Sequence, residues 1–310
     1  MSFDLYFCVR EGHRYSAAHL QRHLQGLEYM TESQSDDGSL IQFEYSSPST
    51  GVYCLFDLSS APDRELEQEL ALAEGHEYAD LSVSINFLRP HFFALEVMPI
   101  VSAIADDLEL SIYDSQDDRM YSPGTSAQVL VSSWMRHNEK VTRNLAMEKD
   151  PIRKPHLSRE LAAYWWDYTR SRERYQESLV EDVHVPSILL MVDDSGRVRP
   201  TVIWPADVQR RALLSERIPI AQVFPVCDLI MLVWGKLGGT SLKKAIVNYE
   251  VVMSSLVELL EHIDGPVAGL RVLRPNRQAA ASAVFDSLPK PGLGDLKLIA
   301  SDGFVDVPLF

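Results

Sequence analysis

Strict alternation of apolar and polar side chains between Leu81 and Phe87 is the feature that most constrains how this chain folds. Every second residue there is apolar, and serines and an asparagine fill the positions between. This is the pattern of a β-strand with one buried face. Apolar residues then recur at helical spacing over 92–105, and 108–113 returns to a strand pattern. The sequence therefore predicts a strand–helix–strand unit.

Similar patterns along the rest of the chain predict further strands and helices. Strands are predicted at 3–9, 40–46, 51–58, 187–192, 198–204, 226–234, 245–253 and 268–273. Helices are predicted at 16–27, 126–147, 158–179, 254–263 and 276–287. The segment 61–79 is acidic and fits either a helix or a loop. A closing hairpin is predicted from 296–300 and 303–309, with its turn at Ser301-Asp302-Gly303.

The length of 310 residues predicts two domains, because single domains are usually shorter. The segment Asp150–His156 is polar and contains two prolines, which is typical of a domain boundary. We therefore expect an α+β fold of two mixed sheet-and-helix domains, an acidic one at 1–149 and a second one at 150–310.

The cysteines and the apolar runs indicate a reduced, cytoplasmic protein. Cys8, Cys54 and Cys227 are scattered through apolar runs. The sequence has no CxxC pair, which argues against a zinc ribbon or a thioredoxin-like site. The N-terminus lacks the basic start and long apolar stretch of a signal peptide. The strongest apolar run, 226–234, is too short to span a bilayer. We expect no membrane partner.

The net charge of −15 is distributed very unevenly. Residues 1–120 contain 22 acidic and 6 basic residues, whereas the remaining 190 contain 22 acidic and 23 basic residues. A field of one sign attracts oppositely charged partners and repels nucleic acid. The first part of the chain is therefore predicted to bind a basic protein and no nucleic acid. A solvated, solubilising surface is the alternative interpretation.

The acidic residues of the first part form clusters that are the candidate partner-binding residues. Tyr45, Tyr78 and Tyr113 lie near these clusters in sequence and are candidate aromatic anchors, because charge alone seldom supplies affinity. The clusters are Asp36 and Asp37; Glu65, Glu67, Glu69, Glu74 and Glu77; Asp106, Asp107 and Glu109; and Asp114, Asp117 and Asp118.

Three motifs contain residue types found in catalytic or metal sites, and none has the required spacing. His19 and His23 lie four residues apart, but the glutamate of a zincin helix is missing beside His19. Gly235–Ser241 places its lysine too early for a phosphate-binding loop. Asp114–Asp118 lacks the glycine and the final glutamate of a calcium loop. We expect no enzyme activity, no catalytic residues, no metal and no cofactor.

Two stretches resemble a known family. The opening Met1-Ser2-Phe3-Asp4-Leu5-Tyr6-Phe7 and the segment 81–96 are similar to those of cytosolic immunity proteins from bacterial type VI secretion effector–immunity pairs. The resemblance covers the N-terminal third and maps no functional residue. It implies a protein that neutralises a cognate secreted toxin, a nuclease, by binding it. The acidic charge independently favours such a partner, because a nuclease presents a basic surface to phosphates.

Two other functions remain open at this point. One is a hydrolase-like enzyme whose site is assembled between the two domains. The other is a scaffold that associates through the aromatic helix containing Tyr164, Trp165 and Trp166. Alternatively, those aromatic side chains pack between the two halves of the chain.

Overall fold

The chain folds into two compact units that both contain helices and sheets, which confirms the predicted α+β class. The units are Met1–Lys154 with Ser301–Phe310, and Pro155–Ala300. The C-terminal residues thus belong with the first unit, whereas the predicted domains assign them to the second. The computed structural model describes residues 1–13, 15–70, 72–148, 153–179, 183–205, 221–234, 243–289 and 295–307.

The first unit is built on a seven-stranded antiparallel sheet, counted over its described residues. The strand order is β2-β3-β4-β5-β1-β6-β7, so β2 and β7 form the two edges. The predicted strand at 81–87 is the second half of the longest strand, β5. The strands are β1 (Ser2–Arg10), β2 (Met30–Gln34), β3 (Leu40–Ser46), β4 (Tyr53–Ser59), β5 (His76–Asn86), β6 (Ser111–Asp114) and β7 (Arg119–Tyr121).

Four helices accompany this sheet within the described part of the first unit. Ser16 and Ser126 each cap a helix with the side-chain oxygen, accepting from the main-chain N–H of His19 and Gln128. Such caps satisfy donors that have no partner inside the helix. The helices are α1 (Ala17–Gln25), α2 (Arg64–Glu69), α3 (Phe92–Asp107) and α4 (Ala127–Ala146).

One face of the sheet forms the core of the first unit, because α1, α3 and α4 pack against it. The ring of Phe3 in β1 lies 6.0 Å from that of His137 in α4. The hydroxyl of Tyr45 in β3 donates to Glu96 in α3 at 2.9 Å. Alternate residues of β1, β3, β4 and β5 are buried on this face and half-buried or exposed on the other.

The chain returns to the first unit after residue 300, so the predicted closing hairpin is wrong. Lys297 and Leu298 form a short strand that pairs with Val192 and Met191 instead. The segment beyond it buries Phe304, Val305, Asp306 and Val307. The ring of Phe304 packs 6.1 Å from that of Phe92, at the start of α3. Burial of these apolar side chains explains why the segment leaves the sheet of the second unit.

The second unit contains a five-stranded and a four-stranded mixed sheet, counted over its described residues. Their strand orders are β13-β12-β10-β9-β16 and β14-β15-β11-β8. The strands are β8 (Val183–His184), β9 (Ile188–Val192), β10 (Val198–Pro205), β11 (Ala221–Phe224), β12 (Leu229–Trp234), β13 (Lys243–Asn248), β14 (Leu260–His262), β15 (Arg271–Leu273) and β16 (Lys297–Leu298). The helices are α5 (Arg159–Ser178), α6 (Tyr249–Ser255) and α7 (Gln278–Ser287).

The aromatic helix α5 packs within the second unit. The indole N–H of Trp165 donates to the carbonyl of Ile188 at 3.0 Å. The hydroxyl of Tyr168 donates to the carbonyl of Pro186 at 2.6 Å. These side chains join α5 to the segment around β9, so they stabilise the core of their own unit.

Two predicted elements of the second unit are wrong in part. The strand predicted at 245–253 ends at Asn248, whose side chain accepts from the N–H of Glu250 and caps α6. The helix predicted at 254–263 is replaced beyond Ser255 by a turn and then by β14. Leu260 lies opposite Leu273 in β15, the next strand along the chain, so strand pairing overrides the local helical spacing. No helix among the described residues is long and apolar enough to cross a membrane.

Candidate protein-binding surface

Three of the four predicted acidic clusters lie at one end of the seven-stranded sheet. Antiparallel pairing brings the end of β1 beside the start of β5, with Arg10 opposite His76. It also brings the start of β3 beside the end of β4, with Leu40 opposite Ser59. The connections with charged residues that meet at this end, here called the acidic end, are 11–16, 35–39, 60–75 and 106–110.

The acidic end has a large excess of carboxylates. Its described residues include eleven acidic side chains and one lysine or arginine, Arg64. Such an excess creates a negative potential that extends beyond the surface. Among the described residues, no ion pair involves a central group of exposed carboxylates. This group consists of Asp36, Glu65, Glu69, Glu74 and Glu109.

The two aspartates of the β2–β3 turn have different roles. One carboxylate oxygen of Asp37 accepts from the N–H and the hydroxyl of Ser39, at 3.0 and 2.7 Å, and from the hydroxyl of Ser35 at 2.8 Å. These hydrogen bonds, first that from the Ser39 N–H, lower the pKa of Asp37 to about 2. Asp37 therefore fixes the turn and stays ionised, while the neighbouring Asp36 is exposed.

Two aspartates that the sequence analysis missed lie beside the predicted glutamates, Asp63 in the connection between β4 and β5 and Asp80 in β5. Asp63 caps α2 by accepting from the N–H of Leu66 at 3.0 Å. Asp80 accepts from the N–H of Asp63 at 3.1 Å and ties the connection to β5. An acidic residue two positions before a glutamate-rich run is the N-cap signal that could have identified Asp63.

Of the five predicted glutamates between 65 and 77, two have structural contacts and three are exposed. Glu67 accepts from the N–H of Tyr78 at 3.4 Å, and Glu77 is half-buried opposite Val9. Acidic side chains in the first turn of α2 also suit the positive end of the helix dipole. The exposed glutamates are Glu65, Glu69 and Glu74.

The cluster after α3 completes the acidic end. A carboxylate oxygen of Asp106 accepts from the N–H of Gly124 at 2.6 Å. Asp107 lies 3.9 Å from the Nε2 atom of His23 in α1. Glu109 is exposed and has a φ of +51°, a left-handed conformation in the tight turn before β6.

The fourth cluster, 114–118, lies at the opposite end of the sheet and is largely paired. Asp114 is fully buried and accepts from the hydroxyl of Ser133 at 2.8 Å, so its assignment to a contact surface is wrong. Asp117 contacts Arg136 and accepts from His137 at 2.8 Å. Asp118 is exposed and accepts from the hydroxyl of Tyr113 at 2.9 Å.

The pKa of Asp117 reflects these contacts. Partial burial raises it, but hydrogen bonds from His137 and Ser133 and the charge of Arg136 outweigh burial, so the pKa is lowered. The network therefore holds the β6–β7 turn against α4.

The predicted aromatic anchors are wrong, because all three tyrosines are buried. Tyr45 donates to Glu96 beneath the sheet. Tyr78 packs edge-on against Tyr6 at 5.9 Å, and Tyr113 donates to Asp118. The large side chains on a strand are the ones that the sheet tends to bury, so sequence proximity to the acidic clusters was misleading.

A cleft of about 160 Å³ opens at the acidic end between α1 and the β4–β5 connection. Its apolar lining includes Leu20 and Leu58, and its carboxylates include Glu67. Tyr15 also lines the cleft and donates to the carbonyl of Leu108 at 2.5 Å. Tyr15 is half-buried, so it is an aromatic side chain that a partner can reach.

The candidate catalytic and metal-binding motifs of the sequence do not form a site among the described residues. His19 stacks on Tyr15 at 5.2 Å, while His23 faces Asp107. Within the described ranges, no three His, Cys, Asp or Glu side chains converge as metal ligands do. Burial raises the pKa of the Cys8 thiol to about 12 and also raises that of Cys54 and Cys227. The glycine-rich segment 235–241 lies outside the described residues.

The fold and this surface define an α+β protein of two compact units, with an exposed acidic end on the first unit. Comparisons with protein-family models, with curated proteins and with solved structures find no match. The function is therefore inferred from the surface itself.

Proposed function

We propose that this chain is a cytoplasmic immunity protein that binds and neutralises a cognate secreted antibacterial toxin. The toxin is a protein with a basic surface, a nuclease of the kind that type VI secretion delivers. The observation that carries this proposal is the acidic end, where eleven carboxylates meet one arginine among the described residues. A nuclease needs a basic surface to bind phosphates, and that surface is complementary to the acidic end.

The negative charge of the acidic end would speed the association with the toxin. Complementary charge raises association rate constants well above those of neutral protein pairs. An inhibitor must bind its toxin before the toxin reaches its target, so fast association has a direct use. The exposed carboxylates described above form no ion pair with the described residues, so no neighbouring cation among those residues offsets their field.

Affinity capture from a lysate of the organism that encodes the chain tests the proposal. The wild-type chain should retain one stoichiometric protein with a basic, nuclease-like domain, and high salt should release it. Recovery of no such protein, from a lysate shown to contain the products of neighbouring genes, contradicts the proposal.

Two triple variants with the same change in net charge make the test specific. Glu65→Lys/Glu69→Lys/Glu74→Lys reverses charge at the acidic end. Asp194→Lys/Glu177→Lys/Glu258→Lys reverses three exposed charges in the second unit. Capture should be weakened in the first variant, because association is slower, and retained in the second. Equal loss in both variants indicates an effect of net charge alone and contradicts a role for the acidic end.

A further inference from the structure

The edge strand β2 has main-chain groups that point away from the sheet. The N–H of Ser35 donates to the carbonyl of Leu40 at 2.9 Å, and the N–H of Ser46 donates to the carbonyl of Tyr29 at 3.0 Å. In an antiparallel pair, hydrogen-bonded residues alternate with residues whose N–H and C=O face the other side. The register from Met30 opposite Tyr45 to Gln34 opposite Ile41 follows this alternation. Met30, Glu32 and Gln34 therefore face outward.

These outward groups are accessible. Glu32 and Gln34 are exposed and Met30 is half-buried. In the described part of the chain, none of their main-chain N–H or C=O groups has a hydrogen-bond partner. The side chain of Glu32 accepts from Gln21 and Gln25 of α1 at 2.8 and 2.6 Å. It is thus held over the helix-covered face and leaves the edge open.

An open edge of this kind pairs readily with another extended segment. The opposite edge of the sheet, β7, spans only Arg119–Tyr121, and short edges pair poorly. β2 is longer and its five residues are consecutive in the ladder with β3. It is the edge of this sheet that can offer a partner several main-chain bonds in a row.

The charge around β2 selects what can pair with it. The segment 28–48, which forms the β2–β3 hairpin, contains five acidic residues and no lysine or arginine. Two of them, Asp36 and Asp37, stand at the end of β2 and belong to the acidic end. A second acidic strand would be repelled here, and a basic strand would be attracted. The acidic residues of the segment are Glu28, Glu32, Asp36, Asp37 and Glu44.

We propose that β2 accepts an extended, lysine- or arginine-rich segment of the partner protein as an added strand. The outward N–H and C=O groups of Met30, Glu32 and Gln34 supply the main-chain bonds, and the surrounding carboxylates select a basic sequence. This inference rests on the proposed function and specifies how the basic partner is held. The acidic end attracts the partner at a distance, and the edge of β2 provides directional contact.

The test uses the full chain and a fluorescent peptide, acetyl-Lys-Val-Lys-Val-Lys-Val-Lys-amide, as the probe. Fluorescence anisotropy measures its affinity, and hydrogen exchange measures protection of residues 28–35. The probe should bind saturably and protect the amides of Glu32 and Gln34. Methylating the main-chain nitrogens on one edge of the probe removes donors without changing charge, and should weaken binding by about tenfold or more.

A matched pair of variants tests the same edge on the protein. Gln34→Pro removes an outward N–H, which an edge strand tolerates, whereas Gln34→Ala keeps it. The proline variant should bind about tenfold more weakly, and the alanine variant should bind within about twofold of the wild type. Thermal melts establish that both variants fold. If the proline variant is unfolded, the methylated probe decides the question.

Each alternative outcome is distinct. Equal binding of the methylated and unmethylated probes overturns strand addition and leaves the acidic-surface function standing. If a probe with Glu in place of Lys binds as tightly, selection for basic partners fails and the proposed function fails with it. A dimer in sedimentation that Gln34→Pro abolishes identifies the occupant as a second copy of this chain and overturns the proposal. Absence of any binding to the wild type also overturns it.

Discussion

The main-chain N–H and the imidazole of His91 both contact the carboxylate of Asp306, which follows 215 positions later in the chain. His91 precedes the first residue of α3, and both side chains are buried. The carboxylate therefore satisfies a donor at the helix N-terminus, where negative charge is also favourable. This contact ties the last part of the chain to the first unit.

Replacement of Asp306 by alanine should destabilise the first unit strongly. It leaves the buried N–H and imidazole of His91 without their acceptor, and each buried donor left unsatisfied typically costs about 1–3 kcal/mol. Urea unfolding followed by tryptophan fluorescence measures the loss. Asp302→Asn is the matched control, because Asp302 lies 3.7 Å from Arg89 and is more than a third exposed. The control should change stability by less than about 1 kcal/mol. Similar effects for the two variants contradict the account.

Phe304→Ala should show that the C-terminal segment is part of the core of the first unit. Phe304 is fully buried and packs against Phe92. Truncation of a buried phenylalanine to alanine typically costs about 3–5 kcal/mol. Leu298→Ala, six residues earlier in the exposed strand β16, is the control, because it removes a side chain that is 69% exposed. It should cost less than about 0.5 kcal/mol in the same unfolding assay.

The strands and helices that the sequence predicts correctly are those whose position is set by their own local pattern of apolar residues. The alternation over 81–87 and the helical spacing after Phe92 correspond to β5 and α3, because each pattern buries one face of its own element. The closing hairpin failed for the opposite reason. Its turn lies where the chain leaves β16 for the first unit, and the partners of Phe304 and Asp306 lie more than two hundred residues away. No local pattern contains that information.

The candidate surface was predictable in composition but not in arrangement. Charge counting identifies Glu65, Glu69 and Glu74 as exposed acidic residues, since an acidic run without apolar periodicity stays on the surface. It could not identify Asp114 as buried, because that depends on a hydroxyl from Ser133 in a separate helix. Nor could it place the 106–109 cluster at the same end as the others, which requires the strand order of the sheet.

Gly51→Ala should lower the free energy of unfolding more than Gly124→Ala does, although both glycines have a left-handed backbone. Gly51 has a φ of +68°, and a Cβ atom there would lie 2.8 Å from the hydroxyl oxygen of Ser301. Gly124 has a φ of +81° and open space around it. In both variants, an alanine in the left-handed conformation destabilises the fold by about 1 kcal/mol. Overpacking against Ser301 destabilises Gly51→Ala by a further amount of about 1–3 kcal/mol. Adding Ser301→Ala to Gly51→Ala should recover part of the loss. Equal unfolding free energies for the two glycine variants contradict the close approach of the C-terminal segment.

The Asp117 network should make stability depend on acidic pH. The pKa of Asp117 is lowered from 3.8 in the folded protein, so the unfolded chain takes up its proton first. The stabilisation is present above that ordinary value and is lost as the pH falls through the lower, folded value. Asp117→Asn should therefore cost about 1 kcal/mol at pH 7 and progressively less as the pH is lowered below 4.

Urea unfolding of Asp117→Asn and the wild type from pH 7 to pH 2 measures this difference. Asp36→Asn is the control, since Asp36 is exposed and forms no ion pair with the described residues. It should track the wild type throughout. A loss in Asp117→Asn that stays constant across the range indicates packing and contradicts the electrostatic account.

If the acidic end attracts a basic protein partner, the association rate must depend on salt concentration, because salt screens the attraction. Stopped-flow mixing of the captured partner with the wild type and with Glu65→Lys/Glu69→Lys/Glu74→Lys gives both rate constants over a series of salt concentrations. The variant should associate about tenfold more slowly at low salt, with a shallower salt dependence, while the dissociation rate changes little. Equal association rates and equal salt slopes for the two proteins would contradict the attraction.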